Sequence, residues 1–529
     1  HNTYQLLVDT RPTNSVTRQV DVLVALNQET VNKNKAELVD GGAIIYDSNK
    51  LKIPASSIQD KTILALGVPL TDLAKSAGGE LMRNVVALGA SLALVDQNLT
   101  IANKVVTEIF SKKGEITVAN NLKAIKSGFD WVKKNFTGRF ICNLPTLPAK
   151  DNILISANES LALGALTAGL NFFVAYPMTP SSSILHYLAG IAETVGIVVK
   201  HAEDEIAVIN MALGAAHAGA RAMVATSGGG FALMTESLGL ASITETPLVI
   251  VEVQRPGPAT GLPTWTEQGD LQFMLHAAQG DFPRIIIAPG DANEAYAIGA
   301  QALNLAEIYQ MPIIILSDKF IAEGNSTVKR FSGVNIKINR GKLLTAAQLK
   351  SIKNYRRYKL TSDGISPRAL PGMAGGLHIA NSDEHDAYGF SEESSVNRNE
   401  QVAKRQKKLA VFYKTMPDPL VYGEAKAKKT VVIWGSTKGV VLDAYSQLDA
   451  KTKKKIRIVQ YQYLWPLAKD FTKQLLKNPN SVLVVENNSN GQLANLIAQE
   501  TGIVIKNRLL KADGRPFFRE EIINALKKF

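Results

Sequence analysis

Four stretches of this sequence carry residue types suited to chemistry. In "AYPMTPSSS", residues 175–183, Thr179 stands between Pro177 and Pro180, where the apolar run "NFFVAY" stops. Pro180 suits the first turn of a helix, and the hydroxyls of Ser181 and Ser182 can serve the amides left free there. A helix N-terminus favours anions, so a hydroxyl stiffened by prolines on both sides suits a small anionic substrate. The plain alternative is a capped strand-to-helix turn.

In "HAEDEIAVINMALGAAHAG", the acids Glu203, Asp204 and Glu205 open a helix. Acids there complement the helix dipole, worth ~0.3–1 kcal/mol. Alternatively one carboxylate points into a site, and the pattern does not choose among the three. In "ATSGGGFALMTESL", a strand ends, a Gly-rich loop follows Ser227, and a helix begins. Neither the Lys-Ser/Thr pair of a phosphate-binding loop nor the dinucleotide spacing is present. Gly228, Gly229 and Gly230 permit close approach by a flat ligand or a partner chain, or simply a tight turn. In "VEVQRPGPATGLPTWTEQGDLQFM", Arg255 ends a buried-looking strand, and Thr260, Thr264 and Thr266 follow. Its planar fork matches a carboxylate, with a surface salt bridge as the alternative.

Other polar stretches are less telling. The seven histidines have no metal-ligand spacing, and "SDEHD" around His385 reads as a solvated loop. "GSTKG" (435–439) and "ENNSNGQ" (486–492) end strands and lead into helices that could line an interface. Cys142 has no evident base and receives no catalytic role.

These loops need a scaffold, and 529 residues suggest about three to four domains. Residues 1–145 alternate strands ("VDVLVAL", "GGAIIYDS") with helices ("MRNVVALGASLALV", "NNLKAIKSGFDWVKKNF"), and "CNLPTLPAK" reads as a linker. Residues 151–330 repeat short apolar strands, from "NFFVAY" to "PIIILSD", with helical crossovers. Such a pattern means a parallel sheet covered on both faces, with ligands beyond the strands' carboxyl ends. The motifs above fall at those ends. In that unit "NESLALGALTAGL" reads as a helix capped by Asn158 or Ser160. Residues 331–425 are polar and turn-rich, an irregular connection ending in a basic helix, and 426–529 form a further α/β unit.

Composition narrows the class. Apolar residues make up 46% of the chain, ample for buried cores. No apolar run approaches the ~18 residues of a spanning helix, and no signal peptide is visible, so no membrane role is expected. The opening "HNTYQLLVDTRP" reads like the middle of a domain, with N-terminal residues missing. One cysteine excludes a disulfide framework and suggests a reducing, cytoplasmic setting. It also cannot supply the typically four thiolates of an iron–sulfur cluster. The net charge of +12 comes with lysine runs, "KAKK", "KTKKK" and "KRQKK", that read as solvated surface able to attract an acidic partner. Basic residues are not interleaved with aromatics, so nucleic acid is not expected.

"YPMTPSSS", "AEDEIAVINMALGAAHAGARAM", "TSGGGFALMTESLGLA", "TETPLVIVEVQRPGPATGLPT", "DGISPRALPG", "DEHDAYG" and "VVENNSNGQLA" together resemble the 2-oxoacid:ferredoxin oxidoreductases. The likeness is to the α subunit of the two-subunit archaeal-type enzymes, in which a γ-like domain precedes α. It implies a multidomain α/β chain: a γ-like domain, a pyrimidine-type thiamine diphosphate domain and a transketolase C-terminal-like domain. Met178 departs from the family's usual Ile, and the Gly-rich start of the γ domain is absent.

The resemblance also implies roles. Matching through "GAAHAG" makes Glu205 the carboxylate that bonds the aminopyrimidine ring of thiamine diphosphate, leaving Glu203 and Asp204 for capping or an interface. Tyr176, Pro177, Ser227, Gly228 and Gly229 would contact that cofactor. Thr179 and Arg255 would hold the 2-oxoacid carboxylate, with Thr264 nearby. The family's "GDG" followed by "NN" for diphosphate and Mg2+ is absent: "GDL" and "GDA" lack the partner motif. The Mg2+ site and a four-iron four-sulfur cluster are therefore expected in a β subunit, with no metal in this chain. CoA would be cosubstrate, ferredoxin the electron acceptor, and the assembly αβ or (αβ)2. The substrate would be pyruvate, 2-oxoglutarate or a broad set of 2-oxoacids. A non-oxidative thiamine-dependent decarboxylase or transferase, and a catalytically silent assembly subunit, are the alternatives.

Overall fold

The computed structural model describes residues 3–53, 62–138, 140–142, 144, 151–331 and 336–529. Most of the expected linker "CNLPTLPAK" lies outside these residues. The chain forms two compact units, residues 17–150 and residues 151–529 joined by residues 1–16. The first unit thus begins at Thr17 rather than at residue 1. Asn14 and Ser15 explain the difference: the Asn14 amide and the Ser15 hydroxyl donate to Asp443 at 2.8 and 2.6 Å.

In the smaller unit, the strands Val20–Ala25, Leu38–Asp47 and Leu64–Val68 form a parallel sheet. The helices Arg83–Leu94 and Glu115–Asn135 cross closely, because Gly89 and Gly128 present no side chain to each other's backbones. Cys142 is half-buried against this core, and burial raises its thiol pKa, so no activated thiolate forms.

The larger unit is built on a seven-stranded sheet. From one edge the strands are Val198–His201, Phe172–Ala175, Ala222–Thr226, Leu248–Gln254, Pro312–Asp318, Ile285–Ile287 and Tyr463–Trp465. All pair in parallel except the last. Their continuous apolar runs follow from burial on both faces. Val224, Ile250 and Ile314 face one core, and Met223, Val249, Val251 and Ile313 face the other. The Tyr463 strand comes from the C-terminal region, so residues 426–529 are not a free-standing layer. The C-terminal sheet, Leu420–Gly423, Ile456–Tyr461, Lys429–Trp434, Val482–Glu486 and Asn507–Leu510, takes its edge strand from the end of the 331–425 segment and shares a core with the larger sheet through Val432, Trp434 and Val484.

Three local expectations are corrected. The helix Ala157–Thr167 is capped by Ser156 in a capping box with Glu159, not by Asn158 or Ser160, which are buried inside it. His385 is fully buried rather than in a solvated loop: its ring lies 3.9 Å from that of Tyr358, and Nε2 pairs with the Ile243 carbonyl at 3.0 Å. The "KRQKK" run is not all solvated, because Lys404, Arg405 and Lys408 face inward from the helix Ser395–Tyr413. Among the described residues no helix is long and apolar enough to cross a membrane.

Candidate active site

The parallel strands end in the loops singled out above. The helix Glu205–His217 follows the strand Val198–His201. Its N-cap is Asp204, whose Oδ1 accepts from the Ala207 amide at 2.7 Å. Glu203 is exposed. Glu205, the first helical residue, is 4% exposed, and its Oε1 has no hydrogen-bond partner among the described residues. Three adjacent acids thus take three different positions, a distinction that the local sequence could not make.

Glu205 has room only because of a glycine. A Cβ on Gly230 would stand 2.5 Å from Glu205 Oε1 and 2.2 Å from Thr226 Oγ1. The glycines are not a loop, as the sequence suggests, but the first turn of the helix Gly228–Ile243, with Ser227 as N-cap. Ser227 is fully buried and its hydroxyl has no partner in the described protein. A Cβ on Gly228 would meet Asp270 Oδ2 at 2.7 Å, whereas Gly229 faces open space. Unpaired amides in a first turn, an orphaned hydroxyl and an orphaned carboxylate oxygen are groups that a polar ligand would complete.

Thr179 and Arg255 meet. Arg255 Nη1 donates to the Thr179 carbonyl at 2.6 Å, while the Thr179 hydroxyl has no partner among the described residues. The turn differs in detail from expectation. The helix starts at Ser182, and the Ser181 hydroxyl turns back to the Met178 carbonyl at 2.7 Å instead of capping. Pro180 precedes the helix; its carbonyl accepts from Asn158 Nδ2 at 2.9 Å. Tyr176 and Pro177 are exposed at the strand end, with Tyr176 6.2 Å from the His201 ring. Thr264 is exposed and makes no side-chain hydrogen bond to these groups, whereas Thr266 is buried against Asp318 at 3.2 Å.

One pair of residues escaped the sequence reading. Glu252 lies inside the strand Leu248–Gln254, fully buried, and neither carboxyl oxygen accepts from a donor. Burial pushes its pKa well above the usual range, with the neighbouring Asp270 carboxyl adding to the rise. Burial raises Asp270 too, while its bond with Glu252 and the charge of Arg255 pull the other way. Two acids without a donor between them are satisfied only if one is protonated and donates to the other. Burial and Asp270 also push Glu267 up to about 7. The available signal was a Glu in a continuous apolar strand.

The segment carrying these acids is held from the C-terminal region. Gln268 Nε2 donates to the Trp434 carbonyl at 2.9 Å, Gln268 Oε1 accepts from the Asn487 amide at 2.9 Å, and Asn488 Nδ2 donates to the Gln268 carbonyl at 3.1 Å. In "GSTKG" the Ser436 amide donates to Asp318 Oδ2 at 3.3 Å and Lys438 pairs with Glu294 at 2.5 Å, so this loop and "ENNSNGQ" both serve internal contacts. No cluster of three or more His, Cys, Asp or Glu among the described residues could hold a metal ion.

Residues 163–405 match the family model "Pyruvate flavodoxin/ferredoxin oxidoreductase, thiamine diP-bdg", and residues 1–131 match "Pyruvate ferredoxin/flavodoxin oxidoreductase". A 2-oxoacid:ferredoxin oxidoreductase subunit alpha of Saccharolobus solfataricus is 33% identical, over all of this chain and 90% of that protein. The 2-oxoglutarate oxidoreductase subunit KorA of Mycobacterium tuberculosis is 30% identical over 95% of this chain and 80% of its own. Among solved structures, 2-oxoglutarate:ferredoxin oxidoreductase from Magnetococcus marinus, with 2-oxoglutarate, coenzyme A and succinyl-CoA bound, superposes with a TM-score of 0.88 at 34% identity. That match covers 98% of this chain and 90% of the other. A thiamine diphosphate-binding family model matched over residues 163–405 and relatives matched along the whole chain make this protein an α subunit of the 2-oxoacid:ferredoxin oxidoreductase family.

Proposed function

We propose that this chain, with a partner subunit, converts a 2-oxoacid and CoA to acyl-CoA and CO2 and passes the electrons to ferredoxin, and that Glu205 is its catalytic carboxylate. The observation carrying this reading is the unpartnered Glu205 Oε1, buried beside Gly230 in the thiamine diphosphate-binding domain. A buried carboxylate without a donor is a costly arrangement unless a ligand supplies the donor. Thiamine diphosphate, when bound, supplies the electron sink that decarboxylation of a 2-oxoacid requires. Glu205 would hold a ring proton of that cofactor's aminopyrimidine, with Tyr176, Pro177, Ser227, Gly228 and Gly229 around it.

Arg255 and the Thr179 hydroxyl would receive the substrate carboxylate, with Thr264 alongside. Arg255 already spends one N–H on the Thr179 carbonyl, which fixes the guanidinium and the loop as one unit. Its remaining donors suit a carboxylate. We read the smaller unit as γ-like and the C-terminal region as transketolase C-terminal-like. The diphosphate–Mg2+ site and the iron–sulfur cluster belong to the β subunit in this reading, because this sequence has one cysteine and no "GDG…NN". Binding of the cofactor then falls between chains.

The test is ferredoxin or viologen reduction by the reconstituted complex, across a panel of 2-oxoacids that includes pyruvate and 2-oxoglutarate. CoA-dependent reduction with acyl-CoA formed is the expected result. A complex that releases an aldehyde without CoA and reduces no acceptor is a non-oxidative lyase, and the reading fails.

A further inference from the structure

Away from the strand carboxyl ends lies a second polar cluster, in the connection between residues 331 and 425 and what it packs on. Glu245 is fully buried and ion-paired with Lys404 and, at 2.5 Å, with Lys408, with the charge of Arg357 also close. Glu307 is ion-paired with Arg221, Arg340 and Arg368. Each of the two carboxylates is thus shared among three cations. The two halves adjoin, since Arg357 and Arg368 act electrostatically on each other. Burying cations in such excess is costly unless further negative charge neutralises them.

The excess converges on one place. His217, Arg357, Arg368 and His378 line a small recess that Glu245 also borders, walled on its apolar side by Pro247, with about 10 Å³ of space for a guest, enough for one water-sized ion. Arg368 is 4% exposed, and its Nε has no acceptor among the described residues. An orphaned guanidinium N–H in such surroundings needs an acceptor. The imidazoles of His217 and His378 stand 5.7 Å apart. Burial first, then neighbouring positive charge, lowers the pKa of His217. Burial and Arg357 lower that of His378 against a bond to the Gly376 carbonyl.

We propose that the recess between His217, Arg357, Arg368 and His378 binds one small inorganic anion, which completes the charge balance of the connecting segment. The anion accepts from Arg368 Nε and faces Arg357 and the two imidazoles. It is independent of the thiamine diphosphate site, because no residue of that site lines the recess.

The experiment follows thermal unfolding of the purified complex in gluconate buffer at constant ionic strength, with gluconate replaced stepwise by phosphate or by chloride. Wild type should show a saturable rise of a few degrees in midpoint with at least one of the two anions. His378→Glu places a carboxylate in the recess. It should raise the midpoint in gluconate and abolish the response to added anion. Arg368→Gln should abolish the response as well; if that variant does not fold, His378→Glu still decides. No saturable response in wild type, or an equal response in His378→Glu, overturns the proposal.

Discussion

Buried acids occur in two settings in the larger unit. Glu245 and Glu307 are wrapped in lysine and arginine. Glu205 and Glu252 accept from no donor among the described residues. Burial alone would raise the Glu245 carboxyl, but Lys404, Lys408 and Arg357 together hold it well below the usual range. Burial drives the Lys408 ammonium down to about 7 against the pull of Glu245. In that cluster even the Glu245 Oε2 that accepts no hydrogen bond stands 2.5 Å from the Lys408 ammonium, so its acids do structural work. Glu205 Oε1 has neither a donor nor a paired cation among the described residues, and in the function proposed above a bound cofactor supplies the donor. Glu252 solves the same problem with a proton shared with Asp270. A buried carboxylate is therefore read by the charges that stand beside it, not by its burial.

Substitutions that treat all four acids alike would break this contrast. The largest effect is expected for Glu205→Gln: turnover by the complex falls about 10²-fold or more, while the thermal midpoint stays within a degree or so of wild type. A variant that turns over normally would return the chain to the role of assembly subunit. Next comes Glu245→Gln, which leaves buried ammonium groups without their counter-charge and costs about 3–5 kcal/mol in denaturant unfolding. The specific activity of the folded fraction should be unchanged. The same contact gives an acid limb: because the folded pKa of Glu245 lies below its unfolded value, its stabilisation is present above the ordinary carboxylate range and drains away as pH falls. Glu245→Gln should flatten that limb.

Arg255→Lys keeps the charge but loses the fork, so KM for the 2-oxoacid should rise roughly 10-fold, equivalent to ~1.4 kcal/mol, with a smaller change in kcat. Glu252→Gln should be the mildest in stability, shifting it by less than ~1 kcal/mol, because a neutral amide still donates to Asp270. A large loss would show that Glu252 is ionised and that the shared proton is wrong. Glu267 sharpens the point by pH alone. Its folded pKa, about 7, stands above the ordinary 4.5, so the folded state holds its proton longer than the unfolded chain does. Stability should decline as pH rises from about 4.5 to 7, and Glu267→Gln should flatten that slope in unfolding midpoints.

Much of this was legible beforehand. Continuous runs such as "PLVIVEV" and "PIIILSD" announced buried parallel strands, and the strand ends at Thr179, Ser227 and Arg255 followed from that rule, whereas Glu205 was singled out only by family resemblance. Contacts that span the sequence were not legible. Lys404 and Lys408 sat in a run that reads as solvent-facing, although their spacing places them on one helix face with Gln401 and Phe412. Their burial depends on Glu245, more than a hundred residues away. Glu252 was hidden by the strand around it, because hydrophobic periodicity reports that a position is buried and not what it faces.

The order of elements, the placing of the polar loops at strand ends and the family were set by the amino-acid sequence itself, since these follow from local patterning and from motifs read in line. Which of three neighbouring acids is buried, which glycine makes room for it, and which lysines turn inward were decided only by tertiary structure. Those choices depend on partners brought together by the sheet, and the cost of burying a charge is set by whatever stands within a few ångströms of it.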